Sequence, residues 1–352
     1  MKMKSFEIAT KKNKRKQLWK TVLLASCLVF TLLVSGIFAL RIFSDYRSKQ
    51  AEELFDATFQ VAYPNVEPNM TFVNQTGIVS GYIDYSLLKN LAGVPIAFGH
   101  LEVEYSIYGI FSNFGQYFPL TSGNYQYHQD SNSKIPVFYN TECLDNRAGN
   151  ELSFVKDMQG QLVEIAITFD RKYTFREIKD MIPSNLKKNW YWIGTNSSQT
   201  RVEDLPLVSI FGMDSDDVVA VTQEEYSDIQ FPYKSPINAM KILLEYNGNY
   251  SLSPSARGIL ESYVDKFGET DFTKQGDINK LEFAGIILTG KAEDFGQLEG
   301  KQWVYASSIG ASIPMQPYYQ LDYWVLVDRN LNVSKVRKAF FKYEIAYLPK
   351  KT

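Results

Sequence analysis

The longest apolar stretch runs from Thr21 to Leu40, twenty residues without a charge between Lys20 and Arg41. At about 1.5 Å per residue, a helix of that length matches the roughly 30 Å hydrocarbon layer of a bilayer, so the pattern predicts a membrane-spanning helix. Helical spacing then continues through Phe43, Tyr46, Leu54, Phe55 and Phe59, until Pro64 and Pro68 end it. Two rival readings fit less well. A cleaved leader needs a shorter apolar core and a small-x-small site, which Ile37-Phe38-Ala39 does not supply. Leu24-Ala25-Ser26-Cys27 resembles the box before a lipid-modified cysteine, but too few apolar residues precede it and the apolar run continues beyond it.

Past the prolines the period changes from helix to strand. Met70–Val73, Gly77–Tyr85 and Leu101–Tyr108 have strand character, the last alternating Val103, Tyr105 and Ile107. The stretch from Ser122 to Gly149 is rich in Asn, Asp, Ser and Gly, and a boundary is placed there. Leu162–Phe169 then alternates Val163, Ile165, Ile167 and Phe169, the pattern of a strand with one buried side. Thr174 and Glu177 form the capping box of a helix carrying Phe175, Ile178 and Ile182, stopped by Pro183, and Trp190–Ile193 reads as a further strand. Residues 162–194 are therefore expected to form a β-α-β unit. Phe283–Leu288, Ala292–Leu298 and Trp303–Ser307 repeat the order strand, short helix, strand. Two helices are expected between these units, one opened by Ser235-Pro236 and reaching Gly248, the other opened by Ser255 and ending at Gly268. The expected class is α+β or α/β, with a mixed sheet.

Charge gives the span a direction. Residues 1–20 hold 8 basic residues and 1 acidic one, a formal +7, while the remainder holds 29 basic and 38 acidic, a formal −9. Lys and Arg beside a span are retained on the cytoplasmic side, so the N-terminus is expected inside and the large C-terminal region outside. The cluster Lys11, Lys12, Lys14, Arg15 and Lys16 is expected to lie by anionic lipid, each cation near the surface adding about 1 kcal/mol, and is the candidate partner-binding site of the tail. Trp19, Lys20 and Arg41 read as interfacial anchors of the span. The expected segments are a basic tail (1–20), the span (21–40), a juxtamembrane helix with a first β-rich region (41–149) and a C-terminal domain (150–352). Cys27 falls in the span and Cys143 stands alone outside it, so no intrachain disulfide is expected.

Candidate chemistry is sparse. Gly285–Lys291 matches a phosphate-binding loop as far as its lysine, but Ala292 replaces the required hydroxyl and Ile286–Leu288 prolong a strand. His100 and His128 lack the spacing of metal ligands, no G-x-S-x-G is present, and Asp214, Asp216 and Asp217 read as a solvated turn. No cofactor or nucleic-acid role is expected, and an enzyme is disfavoured.

The segments Val163–Asp170, Tyr173–Pro183 and Asn189–Gly194, together with Phe283–Gly290 and Trp303–Gly310, resemble the C-terminal domain of the sigma factor regulator family of Gram-positive bacteria. The Lys-rich start, the span and the juxtamembrane helix are similar to that family's N-terminal domain. The resemblance implies a membrane-bound negative regulator that restrains an extracytoplasmic-function sigma factor until an envelope signal arrives. This chain lacks the H-x-x-x-C-x-x-C cluster of zinc-type anti-sigma domains before the span, and twenty helical residues reach only about 30 Å. The expected partners are membrane lipid and either a sigma factor or a second membrane protein that holds one. The alternative is an anchored binding module outside the membrane with no sigma contact.

Overall fold

The computed structural model describes residues 2–112, 120–122, 125–145, 147–222, 235–246, 248 and 252–315. Helix α1 (Lys2–Val61) is a single rod of 60 residues, about 90 Å long at the α-helical rise. Between Leu18 and Leu40 its apolar side chains face outward, with Phe30 69% and Phe38 65% exposed, and no part of its apolar window is covered by the protein. Hydroxyls in this stretch bond to the turn before them, Thr31 to the Cys27 carbonyl at 2.8 Å and Ser35 to the Thr31 carbonyl at 2.5 Å, so they carry no unmet polar demand into an apolar surrounding.

From Ser44 onward one stripe of α1 is buried: Ser44, Ser48, Ala51, Phe55 and Thr58, at intervals of three and four residues. The helix Pro236–Glu245 and a four-stranded sheet both pack against α1. That sheet is the antiparallel meander β1 (Val66–Gln75), β2 (Ser80–Leu91), β3 (Val94–Ser106) and β4 (Gly109–Ser112), in that order. The expected alternation holds on β3, where Leu101, Val103 and Tyr105 are buried between exposed Glu102 and Glu104. Ala92 and Gly93 join β2 to β3 with φ of 52° and 96°, the two positive angles that a tight primed hairpin turn needs. A two-stranded ribbon, β5 (Leu120–Ser122) and β6 (Tyr125–Tyr127), follows.

A five-stranded sheet contains β7 (Gln161–Thr174), β8 (Lys187–Trp192), β9 (Gly212–Asp214), β10 (Glu282–Lys291) and β11 (Val304–Pro314), in the order β11-β7-β10-β8-β9. Every neighbouring pair is antiparallel. The two anticipated β-α-β units are therefore split: β10 lies between β7 and β8, and β7 lies between β10 and β11. This interleaving, order 4-1-3-2 for the four main strands, is the ferredoxin-like arrangement, and it fixes the class as α+β. The expected mixed sheet is thus antiparallel throughout, because each parallel pair of a unit is parted by a strand from the other.

Among the described residues five helices accompany the sheet: α2 (Leu152–Val155) before it, α3 (Phe175–Met181) after β7, and α4 (Pro236–Glu245), α5 (Pro254–Phe267) and α6 (Gln275–Ile278) between β9 and β10. The Thr174–Glu177 capping box is present in full. Ser235 caps α4 as expected, whereas α5 is capped by Ser253, which accepts from the Ala256 N–H, and not by Ser255. The short helix expected at Ala292–Leu298 is present as a 3₁₀ helix.

Strand β7 departs most from its pattern. Every residue from Leu162 to Phe169 is buried, so the strand has two covered faces instead of one. Val163, Ile165, Ile167 and Phe169 enter the main core, which extends from Ala51, Leu54 and Phe55 of α1 to Ile309. The opposite face carries Glu164, Ala166 and Thr168, covered by the β2–β3 turn and by the segment Ile135–Cys143. There Phe138 stacks on Trp192 at 4.8 Å, and the Tyr139 N–H bonds to the Thr168 hydroxyl at 3.1 Å.

Candidate functional site: the long apolar helix and its buried junction

The basic cluster sits near the start of α1. Lys14, Arg15 and Lys16 are exposed, as is Lys20; Lys11 and Lys12 occupy the same helix, and their side chains lie outside the described ones. At about 100° per residue, positions 11, 12, 15 and 16 share one side of the rod and 14 stands apart. Trp19 is 64% exposed. Arg41 does more than flank the apolar stretch: its Nη2 donates to Gln75 Oε1 at 2.9 Å, tying the end of β1 to α1.

At the other end α1 enters the core. Phe55 and Phe59 pack on Tyr85 of β2, with ring centroids 6.3 and 5.1 Å apart. Half-buried Asp56 lies beside the same ring, and burial, then repulsion from Glu52 one turn away, pushes its carboxyl up to about 6. Burial also raises the Tyr85 phenol, whose hydroxyl has no hydrogen-bond partner among the described residues.

Tyr63 and Asn65, with φ of 62° and 55°, turn the chain off the helix and deliver Asn65 to a buried polar network. At its centre Lys89 Nζ contacts Glu164 Oε2 at 2.7 Å and Oε1 at 2.9 Å, with 2% and 0% of the two side chains exposed. Glu164 also accepts from Asn65 Nδ2 at 2.8 Å and from the Ala311 N–H at 3.1 Å. Asn189 donates to Asn65 Oδ1 and to the Asn90 carbonyl, and Thr289 donates to Asn189 Oδ1 while accepting the Ala92 N–H. The end of α1, the β2–β3 turn and strands β7, β8, β10 and β11 thus meet in one satisfied network. Nothing in it is arranged to react, but it holds these elements in a single register.

Near it, His128 is buried against the Phe98 ring, 3.9 Å between centroids. Burial pushes its imidazole down to about 4, Asp130 opposing and Lys89 adding. Gly99 makes this fit possible, since a Cβ there would stand 2.3 Å from His128 Cε1. His100 is exposed, 3.8 Å from Asp84. The turn at Asp214–Asp217 is less solvated than its sequence suggests: Asp214 is half-buried, and burial with Glu67, Asp216 and Asp217 nearby holds its carboxyl well above the usual range. Gly285–Lys291 lies within β10, with Ile286–Leu288 buried.

On the outer side of the five-stranded sheet, a cavity of about 210 Å³ is lined by residues including Lys172, Asn196, Tyr263, Lys266, Phe267 and Glu282. Lys266 pairs with Glu282 at 2.6 Å, and the buried Tyr263 hydroxyl has no partner among the described residues.

Sequence reasoning anticipated the long apolar helix but missed Lys89 and Glu164. The available signal was Glu164 inside an otherwise uncharged strand whose second face offered only Leu162, Ala166 and Thr168, side chains that suit burial as well as exposure.

The sigma factor regulator N-terminal family matches residues 8–96, and the sigma factor regulator C-terminal family matches residues 155–311. The first covers α1 and the meander as far as the β2–β3 turn. The second covers the five-stranded sheet and its helices. The chain belongs to the sigma factor regulator family, whose role is regulatory and of anti-sigma type. No curated protein and no solved structure matches it.

Proposed function

We propose that this protein is a single-pass membrane regulator that restrains an extracytoplasmic-function sigma factor, with its basic tail in the cytoplasm and its two sheets outside. The observation that carries the proposal is the continuity of α1, one uninterrupted helix from the basic cluster through the apolar stretch into the core. A rigid rod anchored by Phe55 and Phe59, and linked through Asn65 to the Lys89–Glu164 pair, transmits a displacement of the outer region to the tail. Basic residues before the span and few after it support the orientation.

The basic cluster Lys11, Lys12, Lys14, Arg15 and Lys16 suits contact with an acidic sigma-factor surface or with a second membrane protein that does the holding. In this reading the protein performs no catalysis. The rival reading, an anchored binding module without a sigma partner, draws on the cavity near Tyr263. Capture of the full-length protein from detergent, followed by identification of what accompanies it, separates the two. The proposal expects a sigma factor, directly or through a second membrane protein, and capture of neither supports the rival.

A further inference from the structure

The meander runs back along α1 toward the end of the apolar stretch. From Arg41 to Val61 the helix rises about 30 Å, and the ten residues of β1, starting at Val66, return about 33 Å in the opposite direction. The Arg41–Gln75 bond closes this loop and sets the end of β1 level with the residue that follows Leu40. Beyond Gln75 the chain reverses through Thr76–Val79, with the Thr76 and Gly77 N–H groups both donating to the Ser80 carbonyl at 3.1 Å. The β3–β4 turn lies beside it, since the Ile107 N–H donates to the Val79 carbonyl at 3.1 Å.

Both turns therefore stand at the edge of the span. A bilayer with its polar layers is about 40–45 Å thick, of which about 30 Å is hydrocarbon, so headgroups occupy several ångströms beyond Leu40. Both turns also expose apolar side chains: Ile78 is 48% and Tyr108 80% exposed. On α1 at the same level, Ile42 is 58%, Phe43 41% and Tyr46 59% exposed.

Charge is missing from these turns. No charged residue stands between Glu67 and Asp84, and none between Glu104 and His128. Elsewhere charges are frequent, with 29 basic and 38 acidic among the 312 residues after the span, or about one in five. An aqueous hairpin tip has no physical reason to exclude charge, whereas a tip immersed in lipid does. An exposed tyrosine beside a span is the side chain that interfaces favour, with an apolar ring and a polar end.

We infer that the β1–β2 and β3–β4 turns dip into the outer interface of the bilayer through Ile78 and Tyr108, making the meander a second point of contact with lipid beside the span. This rests on α1 crossing the membrane. Its consequence is that the outer region meets the bilayer at two points, so that movement of α1 relative to the lipid surface strains the Arg41–Gln75 link.

The test uses the full-length chain in lipid nanodiscs with Cys27→Ser and Cys143→Ala, and single nitroxide labels at Ile78→Cys, Tyr108→Cys, Phe30→Cys in the apolar stretch, and Glu299→Cys on the exposed second-sheet surface. Relaxation by oxygen, which concentrates in lipid, is compared with relaxation by a water-soluble nickel chelate. The inference expects the oxygen-to-nickel ratio at Ile78 and Tyr108 to exceed that at Glu299 several-fold, with Phe30 higher still. If Phe30 reads as lipid while Ile78 and Tyr108 match Glu299, the inference fails and the span stands. If Phe30 itself reads as water, the span fails and the inference with it. Shielding of Ile78 and Tyr108 from both reagents, with a short spin–spin distance between copies, overturns the inference in favour of an interface between two chains.

Discussion

Lys89 Nζ stands 2.7 Å from Glu164 Oε2 with both side chains shut off from water, and this contact joins the β2–β3 hairpin to strand β7 of the second sheet. Breaking a buried pair by removing one partner costs about 3–5 kcal/mol, because the other charge is left unpaired. Lys89→Met and Glu164→Gln are each expected to lose that much in chemical unfolding of the solubilised protein. The double variant should lose about 2–3 kcal/mol less than the sum, since no stranded charge remains and the glutamine oxygen still accepts from one of the two donors, Asn65 or the Ala311 N–H. Additive losses would show that the two side chains do not meet.

The unpaired phenols give the opposite expectation. Tyr85 and Tyr263 each bury a hydroxyl without a partner among the described residues. Removing such a group relieves a desolvation cost and opens almost no cavity. Tyr85→Phe and Tyr263→Phe should leave stability unchanged or raise it by about 1 kcal/mol. A loss above that in the thermal midpoint would place an acceptor beside the oxygen.

Two titrating groups make stability depend on pH in opposite directions. Burial and Glu52 hold the Asp56 carboxyl at about 6 against an ordinary 3.8, so the folded chain keeps a proton that the unfolded chain has released. This contribution is whole below pH 3.8 and is lost as pH rises to about 6. His128 titrates at about 4 against 6.5, so its contribution is whole above 6.5 and is lost as pH falls to about 4. Thermal midpoints measured across pH 4–7 should rise for Asp56→Asn relative to the parent as pH increases to 6. The advantage of the parent over His128→Gln should shrink from pH 6.5 to 4. Flat differences would place both groups in water.

Local chemistry was readable from the chain where its cause was local. The Thr174–Glu177 box, the Ser235 cap and the helix through Phe43 to Phe59 need only neighbours within one or two turns. Strand pairing does not work that way. That β10 separates β7 from β8 depends on a partner about a hundred residues away, and nothing in Val163–Phe169 names it. The same limit hid Glu164, whose burial requires the hairpin carrying Lys89, and left Arg41 as a flanking charge when it also grips Gln75. Ser253 was passed over for Ser255 because either serine suits a cap, and Pro254 at the first helical position decides between them.

The basic tail is expected to carry the output. Replacing Lys11, Lys12 and Lys14 by Gln leaves Arg15, Lys16 and Lys20 beside the span to hold orientation. Transcription from the sigma factor's target promoters should rise while the protein stays at normal abundance in the membrane. Any captured partner should also dissociate as salt increases, because exposed charges are screened. Unchanged repression would remove the tail from the mechanism.

In the proposed function one rigid helix couples the outer core to restraint of a sigma factor. The most direct measurement is sigma-dependent promoter activity in three strains: the parent, a deletion, and a variant with three glycines inserted between Asp45 and Tyr46, where α1 passes from the apolar stretch to the core. Deletion is expected to raise promoter activity, and the insertion to fix it at a level that no longer responds to envelope stress while the protein remains in the membrane. Promoter activity that is the same in the parent and the deletion strain would contradict the proposed function.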